Sequence, residues 1–243
     1  ICEENPFDAI KTNVVGTSNI LEVSIIENIE KFIFISTDKA TNPTSTLGGS
    51  KLLAERLTLD ASSYVGSGKT KFAIVRFGNV IGSRGSVFQI FQKQITNKKS
   101  LTVTDERMTR FIMSISEAAE MILNVTHISK DGEIFILKMP SIKIEELAKG
   151  MLQVFRDRFG KSTIQSKIKI SKSRERERFH ELLVTEEEIP YCQDIGDMYK
   201  ITKTENRMKK IKTEEFSSET AQRITEKRLY KIINELIDDY ITY

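Results

Sequence analysis

Cysteine, histidine, long apolar runs and an excess of either charge are all scarce in this chain of 243 residues, and each shortage excludes something. Cys2 and Cys192 are the only cysteines, too few for a disulfide framework or a Cys-rich zinc spacing. Two histidines, His127 and His180, leave a His-based metal centre unsupported, so no metal is expected. No apolar run approaches the ~20 residues of a membrane helix, and no signal peptide is visible, so no membrane segment and a reducing, cytoplasmic setting are expected. Lys and Arg number 37 against 34 Asp and Glu, a formal charge of +3, which argues against nucleic acid as the main partner. The basic cluster Arg207, Lys209, Lys210 and Lys212 is too short to change that. None of the 12 glycines falls into a G-x-G-x-x-G dinucleotide fingerprint.

What is there reads as an ordinary globular protein: 39% hydrophobic and 29% charged residues. The length suits one large domain or two small ones, enough to hide roughly three-quarters of the unfolded chain's surface. Asn5-Pro6 predicts a helix start, with Phe7, Ile10, Val14, Leu21 and Ile25 forming an apolar stripe behind it. Lys31–Ser36 and Phe72–Arg76 are short, nearly continuous apolar runs, the pattern of strands buried on both faces of a parallel sheet. Between them a polar loop, Thr37 to Thr46, leads into a helix over Gly48–Tyr64 that Gly66 and Gly68 end. Beyond Gly85 the spacing predicts a helix with Val87, Ile90, Phe91 and Ile95 on one side, with Phe88 and Phe91 as core, and a strand at Leu101–Thr104. A helix capped by Ser116 and running to His127, a strand at Glu133–Lys138, and a helix at Ile144–Phe159 closed by Gly160 follow. The rest is more charged, with a strand at Ile168–Ile170 and a last helix near Ile224–Tyr240. This alternation predicts an α/β fold with a parallel sheet.

Chemistry-bearing residues gather directly after the first buried strand. Ser36-Thr37-Asp38-Lys39 stands at a strand's carboxyl end, where ligands bind in doubly wound folds. An acid beside a base there can move protons in both directions; a solvated Asp–Lys pair capping a loop is the alternative.

Together with what lies downstream, this segment resembles the short-chain dehydrogenase/reductase superfamily, and within it the CapD-like polysaccharide-biosynthesis proteins that act as UDP-N-acetylglucosamine 4,6-dehydratases. The resemblance is carried by Ser36-Thr-Asp-Lys-Ala-Thr-Asn-Pro43, Leu47-Gly-Gly-Ser-Lys51, Val75-Arg-Phe-Gly-Asn-Val-Ile-Gly-Ser-Arg-Gly-Ser86, Arg107-Met-Thr-Arg-Phe111, Gly132-Glu-Ile-Phe135 and Arg174 through Glu181. It implies a Rossmann-like parallel sheet, here without its first βαβ elements, in residues 1–85 and 111–140. A smaller mixed α/β substrate domain would take 86–110 and 141–243. NAD or NADP would meet Ser36, Thr37, Lys51, Phe77, Gly78, Asn79 and Val80, most of its site lying upstream of residue 1. Asp38, Lys39, Thr37 and Lys51 match the catalytic positions. Lys39, Asn79, Val80, Ile81, Gly82, Ser83, Arg84, Ser86, Arg110, Arg174 and Glu177 match positions that bind a UDP-N-acetylhexosamine, with Arg84 suited to paired hydrogen bonds to phosphate. The implied reaction oxidises the sugar at C4, eliminates water across C5–C6 and returns hydride to C6. The first helix and the one after Leu47 resemble the superfamily's dimer-packing pair, which implies a homo-oligomer.

The chain departs from the pattern in three ways. Leu47 stands where the superfamily has the tyrosine of Tyr-x-x-x-Lys, and leucine takes no proton; retaining dehydratases also lack it, usually with methionine, so Asp38 or Thr37 would take the 4-hydroxyl proton. Arg174-Glu-Arg-Glu-Arg178 replaces Arg-Pro-Gly-Glu-Lys. The dinucleotide fingerprint is missing, and the resemblance begins in the family's middle, so the chain is expected to be the C-terminal portion of a longer polypeptide. A UDP-sugar epimerase, and a catalytically silent UDP-sugar-binding or oligomerisation module, are the competing readings.

Overall fold

The computed structural model describes residues 2–65, 69–83, 85–161, 164–171, 177–203 and 213–241. The chain opens with α1 (Pro6–Ala9), a π-helical turn (Ile10–Val15) and α2 (Gly16–Ile26), then β1 (Lys31–Thr37), a 3-10 turn (Asp38–Ala40), α3 (Thr46–Tyr64) and β2 (Lys71–Phe77). It continues through β3 (Asn79–Val80), α4 (Val87–Thr96), β4 (Leu101–Val103), β5 (Thr109–Met113), α5 (Ile115–Ile128) and β6 (Glu133–Leu137). Last come β7 (Ser141–Lys143), α6 (Ile144–Phe159), β8 (Ile168–Ile170), β9 (Cys192–Asp194), β10 (Met198–Ile201) and α7 (Glu226–Ile241). The chain divides into two compact units: Ile1–Gly78, Ala119–Lys138 and Leu182–Ser217 make the first, and Asn79–Ala118, Met139–Glu181 and Ser218–Tyr243 the second.

The first unit holds the parallel-rich sheet that the sequence predicts. Its strand order is β1-β2-β6-β10-β9. β1 and β2 run parallel from Lys31↔Lys71 to Thr37↔Phe77, and β2 and β6 from Ala73↔Glu133 to Arg76↔Ile136. Phe72 to Phe77 are all buried, as a central strand with both faces covered requires. Ser45 caps α3 by accepting from the Gly48 amide, so this helix starts two residues before Gly48. The stripe expected on the first helix does not lie on one face: Phe7 is 80% exposed and Ile10 47%, while Ala9, Thr17, Leu21 and Ser24 face inward. The π turn at Ile10–Val15 is the reason, because it shifts the helical phase between Phe7 and Leu21.

β10 lies antiparallel beside β6 from Met198↔Leu137 to Ile201↔Ile134, which brings Leu182–Ser217 into the first unit although the sequence boundary assigned everything after 141 to the second domain. In the second unit β3 pairs with β5 at Asn79↔Ile112 and Val80↔Met113, and that pairing takes residues 79–85 and 111–118 with it. β5 continues antiparallel to β7, and β4 runs parallel to β8. Phe88 and Phe91 are buried in this unit's core with Leu101, Met151 and Ile233. The cap of α5 is Ser114 rather than Ser116: its Oγ accepts from the Glu117 amide, and the Glu117 carboxylate accepts from the Ser114 amide.

One charged group sits inside the first unit's sheet. Arg76 is 1% exposed; its Nε and Nη2 donate to Glu55 at 3.1 and 2.7 Å, its Nη1 and Nη2 to Glu188 at 2.9 and 3.0 Å, and Nη1 also to the Leu183 carbonyl at 2.9 Å. Burial disfavours the Arg76 charge, but the two carboxylates more than offset it and push its pKa up. Burial likewise acts to raise the pKa of Glu188, and the adjacent guanidinium with the Thr185 amide outweighs it and holds the carboxyl below its ordinary 4.5. A carboxyl depressed on folding contributes stability that is complete above its unfolded pKa and is lost as pH falls through the folded value. The urea midpoint of the wild type is therefore expected to fall more steeply below pH ~4.5 than that of Glu188→Gln; parallel acid profiles would contradict this coupling.

Candidate functional site

β1 ends in Ser36 and Thr37, and the chain turns at once into the Asp38–Ala40 3-10 turn. The Thr37 side chain starts that turn by accepting from the Lys39 amide at 3.3 Å. Its hydroxyl donates to Asp38 Oδ1 at 3.0 Å, and Lys39 Nζ donates to the same oxygen at 2.9 Å. Asp38 is wholly buried while the Lys39 side chain is 30% exposed, so the acid is sheltered and the base reaches outward. Asp38 Oδ2 and Ser36 Oγ are buried with no hydrogen-bond partner among the described residues. Orphaned buried oxygens are costly unless something polar meets them, which marks this strand end as a place for a polar ligand.

Two neighbours fix the turn. Thr41 Oγ1 lies 2.5 Å from both the Asp38 and the Leu182 carbonyl oxygens, and donates toward them. The first turn of α3 presses against it so closely that a Cβ at Gly48 would sit 2.2 Å from the Lys39 carbonyl oxygen. One turn further along α3, Lys51 Nζ donates to the Ile35 carbonyl at 2.9 Å and lies 4.7 Å over the Phe34 ring. Burial lowers the Lys51 pKa, and Glu55 partly offsets this. Ser36, Thr37, Asp38, Lys39 and Lys51 thus lie around the carboxyl end of β1; Phe77 pairs in register with Thr37, and Gly78 follows it. Lys51 and the two orphaned oxygens suit the nicotinamide side of a dinucleotide, a cation beside unpaired hydrogen-bonding groups.

The second unit carries the remaining candidates. Asn79 and Val80 form β3, and the Ile81 amide donates to the Met113 carbonyl at 2.9 Å. Gly82 turns the chain at φ +83°, where a Cβ would come 2.5 Å from Leu236 of α7, so glycine is required on two counts. The Ser83 amide donates to the Val80 carbonyl, and the Gly85 amide to Gln89 Oε1 at 2.8 Å. Ser86 precedes α4 with its Oγ buried and unpartnered. Arg84 and Arg174 lie outside the described residues, as does the Arg207–Lys212 cluster.

Arg110 and Glu177, both expected at the substrate, lie 3.6 Å apart in the structure. Arg110 is 8% exposed, and its guanidinium donates to the carbonyls of Thr109, Phe179 and Arg178 at 2.7, 3.1 and 2.9 Å. The neighbouring Thr109 Oγ1 lies 2.8 Å from His180 Nδ1 and 2.7 Å from Ser218 Oγ, and Ser218 Oγ accepts from the Glu181 amide. Arg107 pairs with Asp105 at 2.9 Å and stacks 4.4 Å over Phe179. Burial pushes the Cys192 thiol up to about 12, and neither cysteine is in a disulfide.

Thr41, Glu55, Arg76 and Gln89 organise the candidate residues without having been singled out in the sequence. Two of them left a trace: Arg76 interrupts an apolar run, and Glu55 follows Lys51 by four residues, on the same helix face. The hydrogen bonds of Arg110 to three carbonyls make its fork hard to replace; Arg110→Lys is expected to lower stability by about 1.5–3 kcal/mol in urea unfolding, and an unchanged midpoint would contradict the assignment.

The chain is similar to several known proteins. An uncharacterized membrane protein of Methanocaldococcus jannaschii is 43% identical over 239 residues, 97% of this chain and 71% of that protein. A UDP-glucose 4-epimerase of Rickettsia bellii is 38% identical over 200 residues, 82% of this chain and 57% of the epimerase. The chain thus spans little more than half the length of that relative. The X-ray structure of Pen from Bacillus thuringiensis matches with a TM-score of 0.86 at 36% identity, covering 96% of this chain and 71% of Pen. A family model described as polysaccharide biosynthesis protein matches residues 1–235. The chain belongs to this family of polysaccharide biosynthesis proteins.

Proposed function

We propose that the whole protein is a nucleotide-sugar 4,6-dehydratase acting on a UDP-N-acetylhexosamine, foremost UDP-GlcNAc. The observation that favours elimination is the Asp38–Lys39 pair: one acid and one base, 2.9 Å apart, at the carboxyl end of a parallel strand. NAD or NADP, when bound, supplies a reversible hydride acceptor for the sugar's C4. Lys51 would hold its ribose, with Ser36, Thr37, Phe77, Gly78, Asn79 and Val80 as further contacts.

The 4-hydroxyl proton passes by way of the Thr37 hydroxyl, which gives its own proton to the Asp38 carboxylate it is hydrogen-bonded to, in place of the tyrosine that Leu47 replaces. With C4 oxidised the C5 proton becomes acidic. Neutral Lys39 takes it, and protonated Asp38 gives its proton to the departing 6-hydroxyl, which leaves as water. The pair then holds Lys39 as ammonium and Asp38 as carboxylate. The Lys39 ammonium then returns its proton to C5 as C6 is reduced, which restores neutral Lys39 and carboxylate Asp38, so no proton is gained or lost over the cycle. In the second unit Asn79, Val80, Ile81, Gly82, Ser83, Arg84 and Ser86 would contact the sugar diphosphate through backbone and hydroxyl groups, with Arg110, Arg174 and Glu177 nearer the nucleotide.

A 4-epimerase is the second reading, favoured by the name of the R. bellii relative. It needs a proton acceptor for the 4-hydroxyl but no base for C5 and no acid for a leaving group, and so gives Lys39 no task. The homo-oligomer is proposed on an exposed apolar face of the first helices, where Phe7, Ile20, Val23 and Ile26 are each more than half exposed. Among the described residues no helix is long and apolar enough to cross a membrane. A cytoplasmic setting is proposed, consistent with two cysteines that form no disulfide.

In the full-length protein, Lys39→Ala and Asp38→Asn are each expected to lower turnover of UDP-GlcNAc by ~10²–10⁴-fold with UDP affinity kept. Near-wild-type turnover in either variant would remove the acid–base assignment.

A further inference from the structure

The buried Arg76 cluster has more carboxylates than its charge requires. One carboxylate neutralises a guanidinium, yet Glu55 and Glu188 both engage this one, each through two hydrogen bonds. Charge balance therefore accounts for one partner and leaves the other to be explained by where it sits.

Glu55 sits on α3, four residues after Lys51, so the two side chains lie on one helix face a turn apart. The sheet repeats this spacing. Arg76 pairs in register with Ser36, and Phe34 with Ile74, so Phe34, Ser36, Ile74 and Arg76 share the sheet face that α3 covers. Lys51 meets that face at Phe34 and the Ile35 carbonyl; Glu55 meets it at Arg76. The lysine contact is one hydrogen bond and a ring, which tolerates sliding. The glutamate contact is a planar two-point fork, which tolerates neither sliding nor rotation. Glu188 approaches the same guanidinium from a different segment, and its hydrogen bonds run to Arg76 and the Thr185 amide rather than to α3.

We propose that Arg76 is a positioning residue: through its fork with Glu55 it sets where α3 holds the Lys51 ammonium beside the end of β1. The proposal rests on the functional reading above only in giving Lys51 a task in turnover; the placement itself is a property of the fold.

Two single variants separate positioning from plain stabilisation, because each leaves Arg76 one carboxylate and a neutral buried pair. Glu55→Met removes the tether to α3, and Glu188→Gln removes the charge of the partner that comes from another segment. The placement of Lys51 is read in the full-length protein as its rate of acylation by acetic anhydride, followed by peptide mass spectrometry. Turnover of UDP-GlcNAc per folded molecule is read alongside, with urea midpoints for all variants. In Glu55→Met, Lys51 is expected to acylate several-fold faster and turnover to fall about 10–10²-fold. In Glu188→Gln both are expected to stay near wild type, whatever its loss of stability. The proposal is overturned if Glu55→Met leaves Lys51 acylation unchanged, or if Glu188→Gln alters Lys51 as much. A wild type that turns over no nucleotide sugar would count against the functional reading alone, since Lys51 acylation still decides the placement.

Discussion

A guanidinium sealed inside a sheet must be met by carboxylates, and that requirement joins three parts of the first unit. Arg76 on β2 draws in Glu55 from α3 and Glu188 with the Leu183 carbonyl from the segment before β9. Buried ion pairs contribute little net stability compared with apolar packing, but removing one partner is expensive, so such a cluster constrains geometry more than it adds energy. Here the constrained elements border the end of β1, where Asp38, Lys39 and Lys51 lie.

That strand end combines rigidity with unmet polarity. Thr41 and Gly48 hold the Asp38–Ala40 turn closely enough that a single added methyl group would collide with it. Within this frame Asp38 Oδ2 and Ser36 Oγ have no hydrogen-bond partner. These two oxygens, two residues apart in sequence, are among the few buried side-chain atoms left unmet by the described residues, and a polar ligand here would complete them. The Asp38–Lys39 pair, an acid beside a base, lies at the same place.

Much of this was legible in the residues. The apolar runs at Lys31–Ser36 and Phe72–Arg76 are adjacent parallel strands, and Gly160 closes α6 with φ +89° as its position suggests. The site segment after β1 was legible because motif and strand end coincide there. Other parts were hidden for physical reasons. The π turn at Ile10–Val15 breaks the 3.6-residue period on which helix faces are read. β5 carries Thr109 and Arg110 in a fully buried strand, which looks polar until the carbonyls of residues 178 and 179 and the Ser218 hydroxyl arrive from distant segments to satisfy them. Arg110, which matches a sugar-nucleotide position by motif, donates to the carbonyls of Thr109, Phe179 and Arg178, partners that the local sequence does not reveal. β9 and β10 are short and gain their place only by pairing with β6, a long-range contact without a local signal.

The central claim is that Lys39 and Asp38 eliminate water from a nucleotide sugar, and the most direct test is the mass of the product formed from UDP-GlcNAc by the full-length protein in deuterated water. The account predicts a product lighter by one water and carrying one solvent deuterium at C5, where a proton is removed and replaced. A product of unchanged mass with no deuterium at C5 would contradict it.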